Sequence, residues 1–253
     1  MTISIITIVY NNRETIESCI KSVREQTYSN VEHIIIDGGS TDGTQNEIDA
    51  YKSGLGYYIS EKDNGLYAAL NKGIRKANGS IIGILHSDDM FYESITLEKV
   101  VEAFQRTNAD LIYGKGIFVD KLNINKIRRV YSTKNFKRSS LQYGWIPLHT
   151  TIFVKSKVFE KYGFYKETFS IASDYEISLR WFTNNSIQKY FLDEWLVKMR
   201  LGGKSTTLKL QKAKSLEDLK IIKYYNLGGV FTLICKIGRK VPQYLFPSIQ
   251  NKK

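Results

Sequence analysis

The chain has 253 residues, 42% of them hydrophobic and 13% aromatic. That is enough apolar side chain to bury a core in one large domain, with or without an appendage, and it excludes a disordered chain. A formal net charge of +12 gives a basic surface suited to nucleic acid, an anionic membrane face or a phosphorylated ligand. The only two cysteines, Cys19 and Cys235, lie far apart in apolar surroundings, which excludes a disulfide framework or zinc site and fits a reducing compartment.

The opening MTISIITIVYNN has a short apolar run with no basic lead and no small-residue cleavage site. It reads as a buried strand rather than a secretory signal, so the expected location is the cytoplasm. A strand is predicted over Ile3 to Val9, a turn at Asn11-Asn12, and a helix over Thr15 to Glu25 with Ile16, Cys19, Ile20 and Val23 at helical spacing. A second apolar strand, Val31 to Ile36, ends at Asp37. The turn from Gly38 to Thr44 follows, then a helix to about Lys52, a short strand over Tyr57 to Ser60 and a helix over Leu66 to Asn78. The strand Ser80 to Leu85 runs into Asp88-Asp89. This βαβαβ alternation of short apolar strands predicts an α/β fold, a Rossmann-like, mostly parallel sheet flanked by helices.

Further on, a helix is predicted over Leu97 to Arg106, and strands over Asp110 to Val119, Asn123 to Tyr131 and His149 to Lys155. Helices are predicted over Lys157 to Tyr162 and, just after Asp174, over Tyr175 to Thr183. The composition then changes, so residues 1–215 are expected to form the main domain and 216–253 a basic, amphipathic, helical C-terminal appendage. Leu227 to Ile237 is too short, and with Lys236 too charged, to span a bilayer. The longer stretch Leu227 to Phe246 mixes Phe231, Leu233, Ile234, Ile237, Tyr244 and Phe246 with Lys236, Arg239 and Lys240, which suits either an anionic membrane surface or packing on the main domain.

Carboxylates recur as landmarks: Asp37, Asp63, Asp88-Asp89 and Asp174. In an open parallel sheet ligands sit beyond the carboxyl ends of the strands, so Asp37 and Asp88-Asp89 should meet in one crevice. Such a set suits divalent metal binding, sugar hydroxyls and proton transfer. A nucleic-acid binder would explain the net charge, but these carboxylates would repel a phosphate backbone and no nucleic-acid motif is visible. A nucleotidyltransferase would normally carry a glycine-rich basic loop after the first strand, where this chain has Tyr10-Asn11-Asn12-Arg13.

Five segments in order, ISIITIVYNN, HIIIDGGSTDGT, SEKDNGLYAALNKGI, ILHSDD and HTTIFVKSKVFEKYGFYKETFSIASDYEISLRW, resemble the family 2 glycosyltransferases of GT-A fold. They are most similar to bacterial enzymes that build capsule, O-antigen or other polysaccharide repeat units, over roughly residues 1 to 205. The resemblance implies an inverting, metal-dependent hexosyltransferase. Its donor would be a nucleotide diphosphate sugar, a UDP-sugar first among them, and its acceptor a saccharide or lipid-linked saccharide, met at the inner face of the cytoplasmic membrane.

By the same resemblance, Thr7, Val9, Tyr10 and Asn11 would line the nucleotide pocket. Asp37 would bind the base, and Gly38 would let the backbone approach it. Asp63 would face the donor, Lys72 and the Lys204 loop would meet phosphate, and Asp88 would take ribose or phosphate-linked contacts. Asp89 would bind Mn or Mg, His149 would lie near the donor sugar or acceptor, and Asp174 would be the general base. On the residues alone, Asp63 and Asp174 also suit helix caps, and His149 suits a hydrogen-bonded core position.

Overall fold

In the computed structural model, which describes residues 1–202 and 208–245, the first half alternates strand and helix. The order is β1 (Ile3–Val9), α1 (Arg13–Arg24), β2 (Val31–Asp37), α2 (Thr44–Asp49), β3 (Tyr57–Ser60), α3 (Leu66–Lys76) and β4 (Ile81–Ile84). There follow β5 (Met90–Phe91), α4 (Thr96–Arg106), β6 (Leu111–Val119), β7 (Ile127–Tyr131), β8 (Ile152–Lys155), α5 (Ser156–Tyr162), α6 (Ser173–Thr183) and β9 (Lys189–Arg200). The chain closes with α7 (Leu208–Tyr224), α8 (Gly229–Gly238) and α9 (Lys240–Leu245).

One sheet runs in the order β3-β2-β1-β4-β8-β6-β9-β5, with β7 on β6. The four strands β3, β2, β1 and β4 are parallel, with Val9 opposite Asp37 and Asp37 opposite Ser60. Every residue of β1 is buried, as expected of a strand covered on both faces. On one face Ile6, Ile8, Ile34 and Ile36 meet Leu70 and Ile74 of α3. On the other, Ile3 and Ile5 meet Cys19 and Val23 of α1 and Phe104 of α4. Gly73 sets the approach of α3, because a Cβ there would fall 2.5 Å from Ile6 Cγ2.

Beyond β4 the sheet is mixed. β8 runs antiparallel to both β4 and β6, and β6 and β9 are parallel to each other. The antiparallel run of β8 carries the 3₁₀ turn His149–Thr151 to the carboxyl end of β4, with Gly83 opposite Phe153. His149 thus starts a turn rather than the predicted strand.

At the C-terminal end α7 buries Ile221 and Ile222 in the main core. α8 lies on the 3₁₀ turn Arg138–Tyr143, where Thr232 Oγ1 donates to the Gln142 carbonyl at 2.7 Å. Gly144, at φ +67°, makes room for the Lys236 backbone, which a Cβ would meet at 2.6 Å. Both cysteines are free, Cys19 buried under the sheet and Cys235 half-buried on α8.

Candidate functional site

The parallel register aligns the carboxyl ends of β1 to β4, and the loops that leave them are tied to one another. Asp37, fully buried at the end of β2, accepts hydrogen bonds from the Ser40 N–H and from the hydroxyls of Ser40 and Ser60, both at 2.5 Å. Asn11, at φ +49°, donates its N–H to Ser40 Oγ at 2.8 Å and accepts from the Thr41 N–H through Oδ1. Asn12 Nδ2 reaches across to Ser87 Oγ at 2.9 Å, knotting the first loop to the one after β4. Tyr10 lies exposed over Gly38, where a Cβ would come 3.4 Å from Tyr10 Cδ2.

Thr7 is not part of this rim. It is fully buried under α1, with its hydroxyl 2.9 Å from His33 Nε2 and 3.7 Å from Cys19 Sγ. Val9 is likewise buried, in a small cluster with Ile16, Ile20 and Ile35.

Asp89 is 1% exposed, and neither of its carboxylate oxygens has a hydrogen-bond partner. Burial, and then the charge of Asp88, push its carboxyl well above the usual range; Arg200 opposes them without offsetting them. Arg200 Nη1 donates to the Asp88 carbonyl at 2.7 Å. A buried carboxylate with two unused oxygens is costly unless a cation neutralises it. No cluster of three or more His, Cys, Asp or Glu residues able to hold a metal occurs among the described residues. One or two carboxylates nevertheless suffice for Mg or Mn when substrate phosphates complete the shell, so Asp89 with Asp88 beside it fits such an ion.

A second set of groups adjoins the loop after β4 through His86. His86 Nε2 and His149 Nε2 are 2.7 Å apart, and His149 Nδ1 is 3.7 Å from Asp174 Oδ2. Burial holds His149 down at about 4 and lowers His86, so both imidazoles are neutral near pH 7 and a single proton joins them. Tyr67 OH donates to Asp174 Oδ1 and accepts the Asp174 N–H, both at 3.4 Å. Burial acts to raise the Asp174 carboxyl, but Lys214, His149 and Lys236 outweigh it and hold the group below its ordinary value, so it is ionised. Glu217 of α7 accepts the N–H groups of Ser170, Ile171 and Ala172 at 2.8, 3.0 and 2.9 Å, fixing the approach to α6. Asp174 lies inside the first turn of α6, whose N-cap position is Ala172, so it does not serve as the cap.

Asp63 pairs with Lys72, which also binds Glu61 at 2.7 Å, while Asp63 Oδ2 is buried without a partner. Burial alone would lower the Lys72 ammonium; the two carboxylates reverse this and raise it. Lys204 lies outside the described residues. The sequence singled out Asp37, Asp63, Asp88, Asp89, His149 and Asp174, but not Tyr67 or His86.

Residues 4–168 match the family model described as glycosyl transferase family 2. An uncharacterised glycosyltransferase of Mycobacterium tuberculosis is 34% identical over 184 residues, covering 71% of this chain and 68% of the relative. The crystal structure of Staphylococcus aureus TarS 1-349 superposes with a TM-score of 0.65 at 17% identity over 89% of this chain. This chain spans 64% of that one, and the same TarS chain has been solved in complex with UDP-GlcNAc. The mannosyltransferase PcManGT from Pyrobaculum calidifontis, in complex with GDP-Man and Mn2+, superposes at 0.66 with 15% identity, over 93% of this chain and 73% of that one. The fold is therefore that of the GT-A glycosyltransferases.

Proposed function

This chain belongs to glycosyl transferase family 2 and is a glycosyltransferase, and from that premise we propose an inverting, metal-dependent transfer from a nucleotide diphosphate sugar, a UDP-sugar first among the donors. The acceptor is a saccharide, lipid-linked and assembled into capsule, O-antigen or a related cell-surface polysaccharide at the inner face of the cytoplasmic membrane. Neighbours solved with UDP-GlcNAc and with GDP-Man and Mn2+ support a nucleotide-sugar donor and a divalent ion.

Asp37 and the Tyr10–Asn11 loop hold the nucleoside, with Gly38 giving close backbone approach. Asp63 and Lys72 face the donor, and Asp88 contacts its ribose or phosphates. Asp89, with Asp88 beside it, would hold Mn or Mg, which supplies charge neutralisation to the departing diphosphate. Asp174 takes the proton of the acceptor hydroxyl as that oxygen bonds to the anomeric carbon. The bond from that carbon to the diphosphate breaks, and its electron pair leaves with the nucleotide. Attack from the face opposite the leaving group inverts the anomeric configuration. His149 and Tyr67 orient the Asp174 carboxylate, and that geometry carries the assignment: a partly exposed carboxylate held by Tyr67 and facing His149, which joins His86 in the segment leading to Asp88 and Asp89.

The test is a thermal-shift screen against UDP, GDP, dTDP and CMP with Mn or Mg present and then chelated. Stabilisation by one nucleotide only with metal supports the reading and names the donor class, because a ligand bound by the native state alone raises its melting temperature. No shift under any condition would sink it.

A further inference from the structure

α8 turns one apolar residue, Leu233, against the main core. Beside it two polar residues point inward: Thr232 is fully buried on the Gln142 carbonyl, and Lys236 Nζ lies 2.7 Å from the Asp218 carboxylate and 3.3 Å from the centre of the Tyr175 ring. Its other large apolar residues face out. Val230, Phe231, Ile234 and Ile237 are 57%, 55%, 64% and 50% exposed. The three-and-four rhythm continues through Val241 and Tyr244 of α9, because Arg239 at the junction keeps helical angles, φ −60° and ψ −17°. Six large apolar side chains therefore form one exposed stripe along two nearly continuous helices, touched only at its edges, by Tyr143 on Phe231 and Arg129 on Tyr244, among the described residues; singly scattered exposed hydrophobics would need no explanation.

Charge selects the occupant. After Asp218 the sequence holds no Asp or Glu side chain, while Lys223, Arg239 and Lys240 flank the stripe and are exposed. Two copies meeting through this face would bring like charges together, whereas an anionic bilayer offers apolar depth and opposite charge at once. No helix among the described residues is long and apolar enough to cross a membrane, so the helices can only lie along it.

We propose that the outward stripe of α8 and α9 is a docking face for an anionic membrane surface, with the apolar side chains seated below the headgroups and the cations among them. The mount is rigid. Lys236 ties α8 to Asp218 of α7, and the adjacent Glu217 holds the backbone leading into α6 and Asp174. A chain seated by this stripe therefore carries Asp174 at a fixed height above the bilayer, within reach of an acceptor anchored there. The docking stands by itself; only this last consequence rests on the transferase reading.

The test is flotation of the full chain with vesicles of phosphatidylcholine alone and of phosphatidylcholine mixed with phosphatidylglycerol, at low and high salt. The expected result is binding to the anionic vesicles, weakened by salt, and on the order of tenfold or greater loss for Ile234→Glu with Ile237→Glu. Both positions are exposed, so that variant should keep the wild-type melting temperature and nucleotide response. Three results would each overturn the proposal: no flotation with either vesicle, equal flotation with both, or a stripe variant that floats like the parent. A fourth is a concentration-dependent dimer that the variant abolishes without vesicle binding, which would assign the stripe to a second copy. Loss of the nucleotide response in the parent chain would count against the transferase reading alone.

Discussion

Asp89 is buried and Asp174 half-buried, and their surroundings push the two carboxyls in opposite directions. For Asp89, burial and Asp88 raise the carboxyl, so its ionised form destabilises the metal-free protein. Asp89→Asn is accordingly expected to raise the melting temperature of chelator-treated protein while abolishing any metal-dependent nucleotide shift; a lower metal-free melting temperature would show that the carboxylate is satisfied some other way. Asp174→Asn should lower turnover by on the order of a hundredfold or more and leave nucleotide binding close to wild type. Preserved turnover in a radiolabelled-sugar transfer assay would remove Asp174 from the base role. Asp37 and Asp88-Asp89 were legible as site candidates because each directly follows an apolar strand. Tyr67 was not, since its link to Asp174 joins positions 107 apart through folding alone.

At the level of elements, close approach decides more than propensity. Replacing Gly73 by alanine would gain about 1 kcal/mol of helix propensity but drive a Cβ to within 2.5 Å of Ile6, in a site where overpacking costs about 1–3 kcal/mol. Gly73→Ala should therefore lower the denaturation midpoint, because Ile6 is itself fully buried and has nowhere to move. The alternating strands and helices of the first half were readable, since short apolar runs and helical spacing are local signals. β9 escaped. Its register against β6 slips between Phe191 and Trp195, which breaks the two-residue rhythm that marks a strand and leaves Asp193 and Glu194 in its middle. α7 also acts at this level: Glu217→Gln should reduce kcat by on the order of ten- to a hundredfold through misplaced Asp174, with nucleotide affinity kept, as steady-state kinetics and titration would separate.

For the molecule as a whole, the neutral buried histidines set its tolerance of acid. Burial lowers His33 from an ordinary 6.5 to about 3 and His149 to about 4. Between those values and 6.5 the unfolded chain binds more protons than the folded one, so stability is complete above about pH 6.5 and falls as pH drops toward 4. Melting temperatures across that range should show the slope, and His33→Gln should flatten it by removing one of the three histidines, His33, His86 and His149, that burial lowers; an unchanged slope would place the acid sensitivity elsewhere. The basic composition was legible from the sequence, but its concentration beside an outward apolar stripe was not, because the spacing of α8 fits burial of that stripe equally well.

The two cysteines have a practical consequence. Cys19 is sealed between α1 and the sheet, with its thiol pushed up by burial, so it is closed to alkylation in the folded state. Cys235 sits half-buried on α8, next to Ile234. A maleimide dye with polarity-dependent emission would therefore label the unaltered chain at one position, and its colour would report in real time whether that helix is in water or in lipid.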